Sequence, residues 1–403
     1  MGSWMSEVNV EFAEEQDAGL DIRQVQNFSD AVLHSADWTV ETIVSQLTRS
    51  NIEMNPRFQR RDAWSRQRKS LFVESLILGL PVPQIVLAEK QGQRGKYIVL
   101  DGKQRLLSLL QFTGNATGPH NGFRLSGLEA RDDLIRKRYE DLSDPGLEAD
   151  LNAFLNYTIR TVVIRNWPDH DFLHLVFLRL NTGSVKLSPQ ELRQAMFPGH
   201  FSNEVDDRAA ASGPLQALLG RETADPRMRD VELLTRFLSF QLFLNRYGGR
   251  MKDFLDTTCD TLNKEWPARE AEVLGLIAEF DLGAAALIDI FGVEAVARKQ
   301  GSMSFNRAIF DALIFYAANP AIRQGMVDNG GVVRGAYAGI LSDEDFLAAA
   351  ESDTAGVPNT LTRFVRWGLA LRGALDMPFE TPKLRPADED LHKVGIAFEG
   401  FGV

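Results

Sequence analysis

Strand-like patterning stops near residue 165, and that asymmetry limits what the chain can fold into more than any other feature. β-Branched and apolar residues cluster at Gln84–Ala88, Tyr97–Leu100 and Tyr157–Arg165, each a run of strand length. The first two flank QGQRGK, which suits a hairpin turn. From Trp167-Pro168 onward the apolar residues recur at intervals of three and four, in VELLTRFLSFQLFLNRY, REAEVLGLIAEF and SFNRAIFDALIFYAA. Helices are also expected from Trp38 to Leu47 and from about Ser65 to Leu78. SPQELRQAMF marks another helix start, with Ser188 as N-cap, Pro189 at the first position and Glu191 closing a capping box. The fold class is therefore α+β. Residues 1–36 read as an acidic, mobile arm, 37–185 as a small mixed domain, and 186–403 as a mostly α-helical domain with no strand pattern of comparable strength.

The chain of 403 residues carries a formal net charge of −11, so its surface as a whole does not favour nucleic acid. One stretch runs against that balance. Between Arg57 and Lys69 six basic residues (Arg57, Arg60, Arg61, Arg66, Arg68, Lys69) face the single acid Asp62. Such a run is either a local anion site or a solvated helix face. No apolar run approaches the roughly 20 residues needed to cross a bilayer. The acidic N-terminal stretch does not resemble a signal peptide, and the single Cys259 fits a reducing compartment, so a cytoplasmic protein is expected.

Several standard sites are missing from the sequence. There is no GxxxxGK[ST] loop for a Walker-type nucleotide site. HDFLH at His170–His174 differs from the zinc-protease HExxH pattern by a shorter acid, lacks an evident third ligand, and carries an ordinary apolar face. Tightly held zinc is not expected, and any metal should be magnesium-like and arrive with phosphate.

The strand-to-helix junction YIVLDGKQRLLSLLQF is where chemistry concentrates. Asp101, Gly102, Lys103, Gln104 and Arg105 occupy the turn between the Tyr97–Leu100 strand and a helix. A helix N-terminus there presents free backbone N–H groups and a partial positive charge, which together suit phosphate. Gly102 would let a ligand approach the backbone, Arg105 offers a planar fork for phosphate oxygens, and Lys103 adds charge. Asp101 could hold magnesium, accept a ribose hydroxyl or simply cap the helix. On this view Arg105 is exposed, so removing it should cost binding and little stability.

Taken with NPRFQRRDAW, LILGLPVPQIVL and FLRLNTGSVKLSPQELRQAMF, this turn resembles the N-terminal domain of GmrSD-type modification-dependent restriction endonucleases, in the ParB/sulfiredoxin-like superfamily. The resemblance covers roughly residues 38 to 200 and extends weakly into the helical part. It implies a ParB-like nucleotide-binding domain in which the turn, usually Asp-Gly-Gln-Gln-Arg, binds and hydrolyses nucleotide. Asp101, Gly102, Gln104 and Arg105 match, while Lys103 replaces the first Gln. The family's Gln-Arg pair matches Gln59 and Arg60, and its Asn-Thr-Gly block matches Asn181, Thr182 and Gly183. By resemblance, then, Asp101 and Arg105 are the catalytic candidates, and Arg57, Gln59, Arg60, Gly102, Lys103, Gln104 and Asn181 the nucleotide-binding ones. The implied partners are a nucleoside triphosphate with Mg2+, DNA, and a separate nuclease or effector subunit, since the His-Asn-His nuclease domain of many relatives is not recognisable here. Three functions stay open: a nucleotide-gated protein of defence against foreign DNA, a stand-alone ParB-like endonuclease, and a catalytically inert interaction module. The basic stretch Arg57–Lys69 is expected to face the Asp101–Arg105 turn.

Overall fold

A computed structural model describes residues 31–53, 62–116, 120–180, 188–299, 301–386 and 394–402, without the side chains of Asp171, His174 and Leu178. Its compact units divide at Met196/Phe197, with Leu20–Met196 forming one and Phe197–Val403 the body of the other.

The first unit opens with β1 (Val32–Thr39) and α1 (Val40–Thr48). Thr39 stops the strand and caps the helix, its side chain accepting the Thr42 N–H at 3.1 Å. α2 (Arg66–Ile77) starts at Ser65, which accepts the Arg68 N–H in the same way. β2 (Ile85–Glu89) and β3 (Tyr97–Asp101) form the expected antiparallel hairpin, with a register shift between Val86 and Leu87. Then come α3 (Lys103–Phe112), α4 (Glu148–Asn156), β4 (Thr158–Arg165), α5 (His170–Leu180) and α6 (Pro189–Met196).

The strands make one mixed sheet in the order β1-β4-β2-β3, with β4 antiparallel to β1 and parallel to β2. Alternate residues settle which face is core. Ile85, Leu87, Tyr97, Val99, Ile159 and Val163 join Ile43 of α1, Leu76 of α2 and Leu106 and Leu109 of α3 in one apolar cluster. On the opposite face Val86, Ile98, Leu100 and Ile164 are also buried. α5 covers part of that face, and α6 packs on β3.

Two differences from the sequence expectation have one cause. β1 begins at Val32, inside the stretch read as an arm, because its backbone partner is β4: Val32 pairs with Arg165 and Thr39 with Thr158. A partner so distant in sequence leaves no local signature. Likewise α6 belongs with the first unit although the domain boundary was expected at 185. Buried polar side chains on α2 add a third difference. Lys69, Ser70 and Glu74 are buried there, so the basic run is not simply a solvated face.

Glu74 shows what such a group does. Its carboxylate accepts the consecutive N–H groups of Glu129, Ala130 and Arg131 at 3.1, 2.9 and 2.8 Å, tying that loop to α2. Burial pushes this carboxyl up, but the three donors and the Arg131 guanidinium pull harder the other way, and it titrates below its ordinary 4.5. Glu74→Gln is expected to cost about 1.5–3 kcal/mol at neutral pH in urea unfolding. A folded pKa below the unfolded one gives stability that is present above pH 4.5 and lost as pH falls through the folded value. The gap between variant and wild type should therefore close in acid; a gap that is constant down to that range would count against the assignment.

The second unit is helical: α7 (His200–Ala211), α8 (Gly213–Leu218), α9 (Arg229–Phe243), α10 (Met251–Lys264), α11 (Trp266–Phe291), α12 (Arg307–Ala317), α13 (Pro320–Asp328), α14 (Gly330–Ile340), α15 (Glu344–Glu351) and α16 (Val357–Leu375). Every residue of α12 from Ala308 to Ala317 is buried, so this helix forms the centre of the unit. Two short strands were not anticipated. β5 (Lys383–Arg385) pairs with β6 (Gly395–Ala397), after which Phe398 and Phe401 stack on Phe315. Asn245 fixes that end, donating to Phe398 O and accepting from Phe398 N. Among the described residues no helix is long and apolar enough to cross a membrane.

Candidate functional site

β3 ends at Asp101, Gly102 turns the chain, and α3 begins at Lys103. Gly102 has φ of 97°, a left-handed conformation that favours glycine. A Cβ placed there would stand 3.0 Å from Ile85 Cγ1 and 3.3 Å from Arg105 Nη2, so both space and backbone require glycine. The N-cap glycine has no side chain with which to cap the helix, and the first turn contains no acid to offset the positive end of the helix dipole.

The polar side chains of the turn are engaged inward. Arg105 is only 5% exposed; its Nη2 donates to Asp101 Oδ2 and to Gln84 O, each at 2.8 Å. Its Nε is buried with no partner. This overturns the expectation of an exposed arginine at a helix start. It also overturns Asp101 as N-cap, because the carboxylate turns to the guanidinium one helical turn on. Asp101 remains 22% exposed. Lys103 is buried too, its Nζ 2.7 Å from Glu191 Oε1. The other oxygen of Glu191 accepts the Ser188 N–H, while Ser188 Oγ accepts the Glu191 N–H, which is the capping box expected at the start of α6. One carboxylate thus holds both the turn and α6.

The described end of the basic stretch lies against α3. Gln104 Oε1 accepts the Ala63 N–H at 3.3 Å, and Asp62 takes Gln111 Nε2 at 3.0 Å together with the Lys69 ammonium. Asp62–Lys69 and Asp101–Arg105 are accordingly brought onto one helix. Lys69, Lys103 and Arg105 are ion-paired rather than free, while Arg66 and Arg68 are exposed. Arg57, Gln59, Arg60 and Asn181 lie outside the described residues, as do Thr182 and Gly183. Sequence reasoning missed Gln84 and Gln111, and it saw in Glu191 only a helix cap. Nothing local distinguishes them, since each acquires its role from a partner many residues away. Among the described residues no group of three or more His, Cys, Asp or Glu side chains could hold a metal.

A four-stranded mixed sheet with a polar strand-to-helix turn at the end of β3 defines a small α+β module followed by helices. Residues 40–198 match the family model described as the GmrSD restriction endonuclease, N-terminal domain, and this segment is similar to that domain. No curated protein and no solved structure matches the chain.

Proposed function

We propose that the first unit binds a nucleoside triphosphate with Mg2+, its phosphates against the first turn of α3, and that binding or hydrolysis gates action on foreign DNA. The observation that carries this reading is the start of α3 directly behind a left-handed glycine, with no acid in its first turn, in a segment that matches a domain family of restriction endonucleases. Asp101 keeps a part-exposed side chain at the turn, and Arg105 holds its Oδ2. That suits a magnesium ion brought in by phosphate oxygens, since Mg2+ commonly takes one or two carboxylates and completes its shell with phosphate and water. The ion would neutralise phosphate charge. Asp101 orients it, Arg105 positions Asp101, and Lys103 and Gln104 fix the turn through Glu191 and Ala63. Arg57, Gln59, Arg60 and Asn181 are proposed phosphate and ribose contacts on the family resemblance. DNA and a separate nuclease or effector subunit are the proposed partners.

Titration calorimetry with Mg2+ and ATP, GTP, CTP or UTP, alongside a phosphate-release assay, tests the reading. At least one nucleotide should bind, and Asp101→Asn should weaken it about tenfold or more by removing a charge-assisted contact of roughly 1.5–3 kcal/mol. Nicking of plasmid by the protein with metal but no nucleotide would instead favour the stand-alone endonuclease. Silence in every assay would leave an interaction module.

A further inference from the structure

A cleft of about 650 Å3 crosses the second face of the sheet, between β1, β4 and β2 on one side and α5 on the other. Val86, Val162 and Ile164 form its floor and Leu175 contributes from α5, while Gln84 and Arg179 supply polar groups. Its volume falls within the several-hundred-Å3 range of small-molecule sites, and an apolar lining with a few polar groups is their usual composition. Leu33 of edge strand β1 also lines it, yet is 67% exposed, so a large apolar side chain meets water beside the cleft.

Gln84 links the cleft to the turn. It lines the cleft, and its carbonyl receives Arg105 Nη2 at 2.8 Å. One hydrogen bond therefore separates the cleft from the Asp101–Arg105 pair. We infer that the cleft receives the base and sugar of the nucleotide whose phosphates lie at the first turn of α3, an assignment that rests on the nucleotide reading above. The flat faces of a base bury apolar surface against Val86, Val162 and Ile164, and its polar edge meets the amide of Gln84. The sheet is thereby used on both faces: one holds the core with α1, α2 and α3, and the other holds ligand.

The test separates base from phosphate by using two probes, each nucleoside triphosphate and inorganic tripolyphosphate, both with Mg2+. Val162→Phe fills the floor of the cleft at a half-buried strand position and keeps a residue that favours strands. It should weaken nucleotide binding about tenfold or more while tripolyphosphate binds as before. Leu33→Trp narrows the cleft from an exposed position and should act in the same direction, so it carries the test if Val162→Phe does not fold. Nucleotide binding unchanged in both variants would overturn the cleft assignment and leave the turn reading standing. So would wild-type protein that binds tripolyphosphate as tightly as any nucleotide. Equal loss of both probes would likewise overturn it, because the damage would then lie at the turn. Wild-type protein that binds neither probe would overturn both readings.

Discussion

Asp311→Ala should lower the melting temperature of the helical unit by roughly 10 °C, the largest stability loss expected from a single substitution here. Asp311 and Arg236 are each 1% exposed, and the guanidinium donates from Nε at 3.1 and 3.2 Å and from Nη2 at 2.5 Å to the same carboxylate. The pair joins α9 to the buried α12. Removing Asp311 takes that carboxylate from a guanidinium in a low-dielectric core, where Glu232 Oε1 stands 3.9 Å from Nη1, and loss of one member of a buried pair costs about 3–5 kcal/mol. Replacing both by apolar residues of similar size removes that penalty, so Arg236→Met with Asp311→Leu should recover most of the loss. Scanning calorimetry of the three proteins decides it. Melting of Asp311→Ala within a degree or two of wild type would mean that the arginine finds water or another acceptor.

Arg105→Ala should lose both stability and nucleotide. Deleting a buried guanidinium removes two hydrogen bonds, to Asp101 and to Gln84 O, and leaves a void beside Gly102. Asp101 is part exposed and can recover some hydration, so the stability cost should be about 2–3 kcal/mol, below that at Asp311. Nucleotide affinity should fall about tenfold or more because Asp101 and Gln84 are no longer held. Arg105→Lys keeps the charge but cannot span both acceptors with a planar fork, and it should rescue only part of either effect. Unchanged melting would show that the guanidinium is not needed in its buried position. Unchanged affinity with lowered melting would show that it is needed for the fold alone.

Much of the turn was legible because its causes are local. A run of strand-forming residues, then glycine, then an apolar helical repeat places the junction within Asp101–Arg105, and the structure narrows it to Gly102. Ser188 and Glu191 three residues apart made the start of α6 readable for the same reason. Burial of the cations was not legible. Lys103 and Arg105 look like surface residues until Glu191, 88 positions away, and the carbonyl of Gln84, 21 positions away, are brought to them.

By itself the sequence determined the α+β character, the β2–β3 hairpin, the starts of α2 and α6 and the glycine at the turn. Each follows from propensity, periodicity or capping within a few residues, and those preferences hold before any tertiary contact forms. Only the tertiary structure decided that Val32–Thr39 is a strand, that the turn's cations are paired and buried, and that the second sheet face carries an open apolar cleft. The physical reason is that burial and pairing are properties of two segments at once. A strand edge, a carboxylate or an apolar face acquires its role only when a distant part of the chain supplies, or fails to supply, its partner.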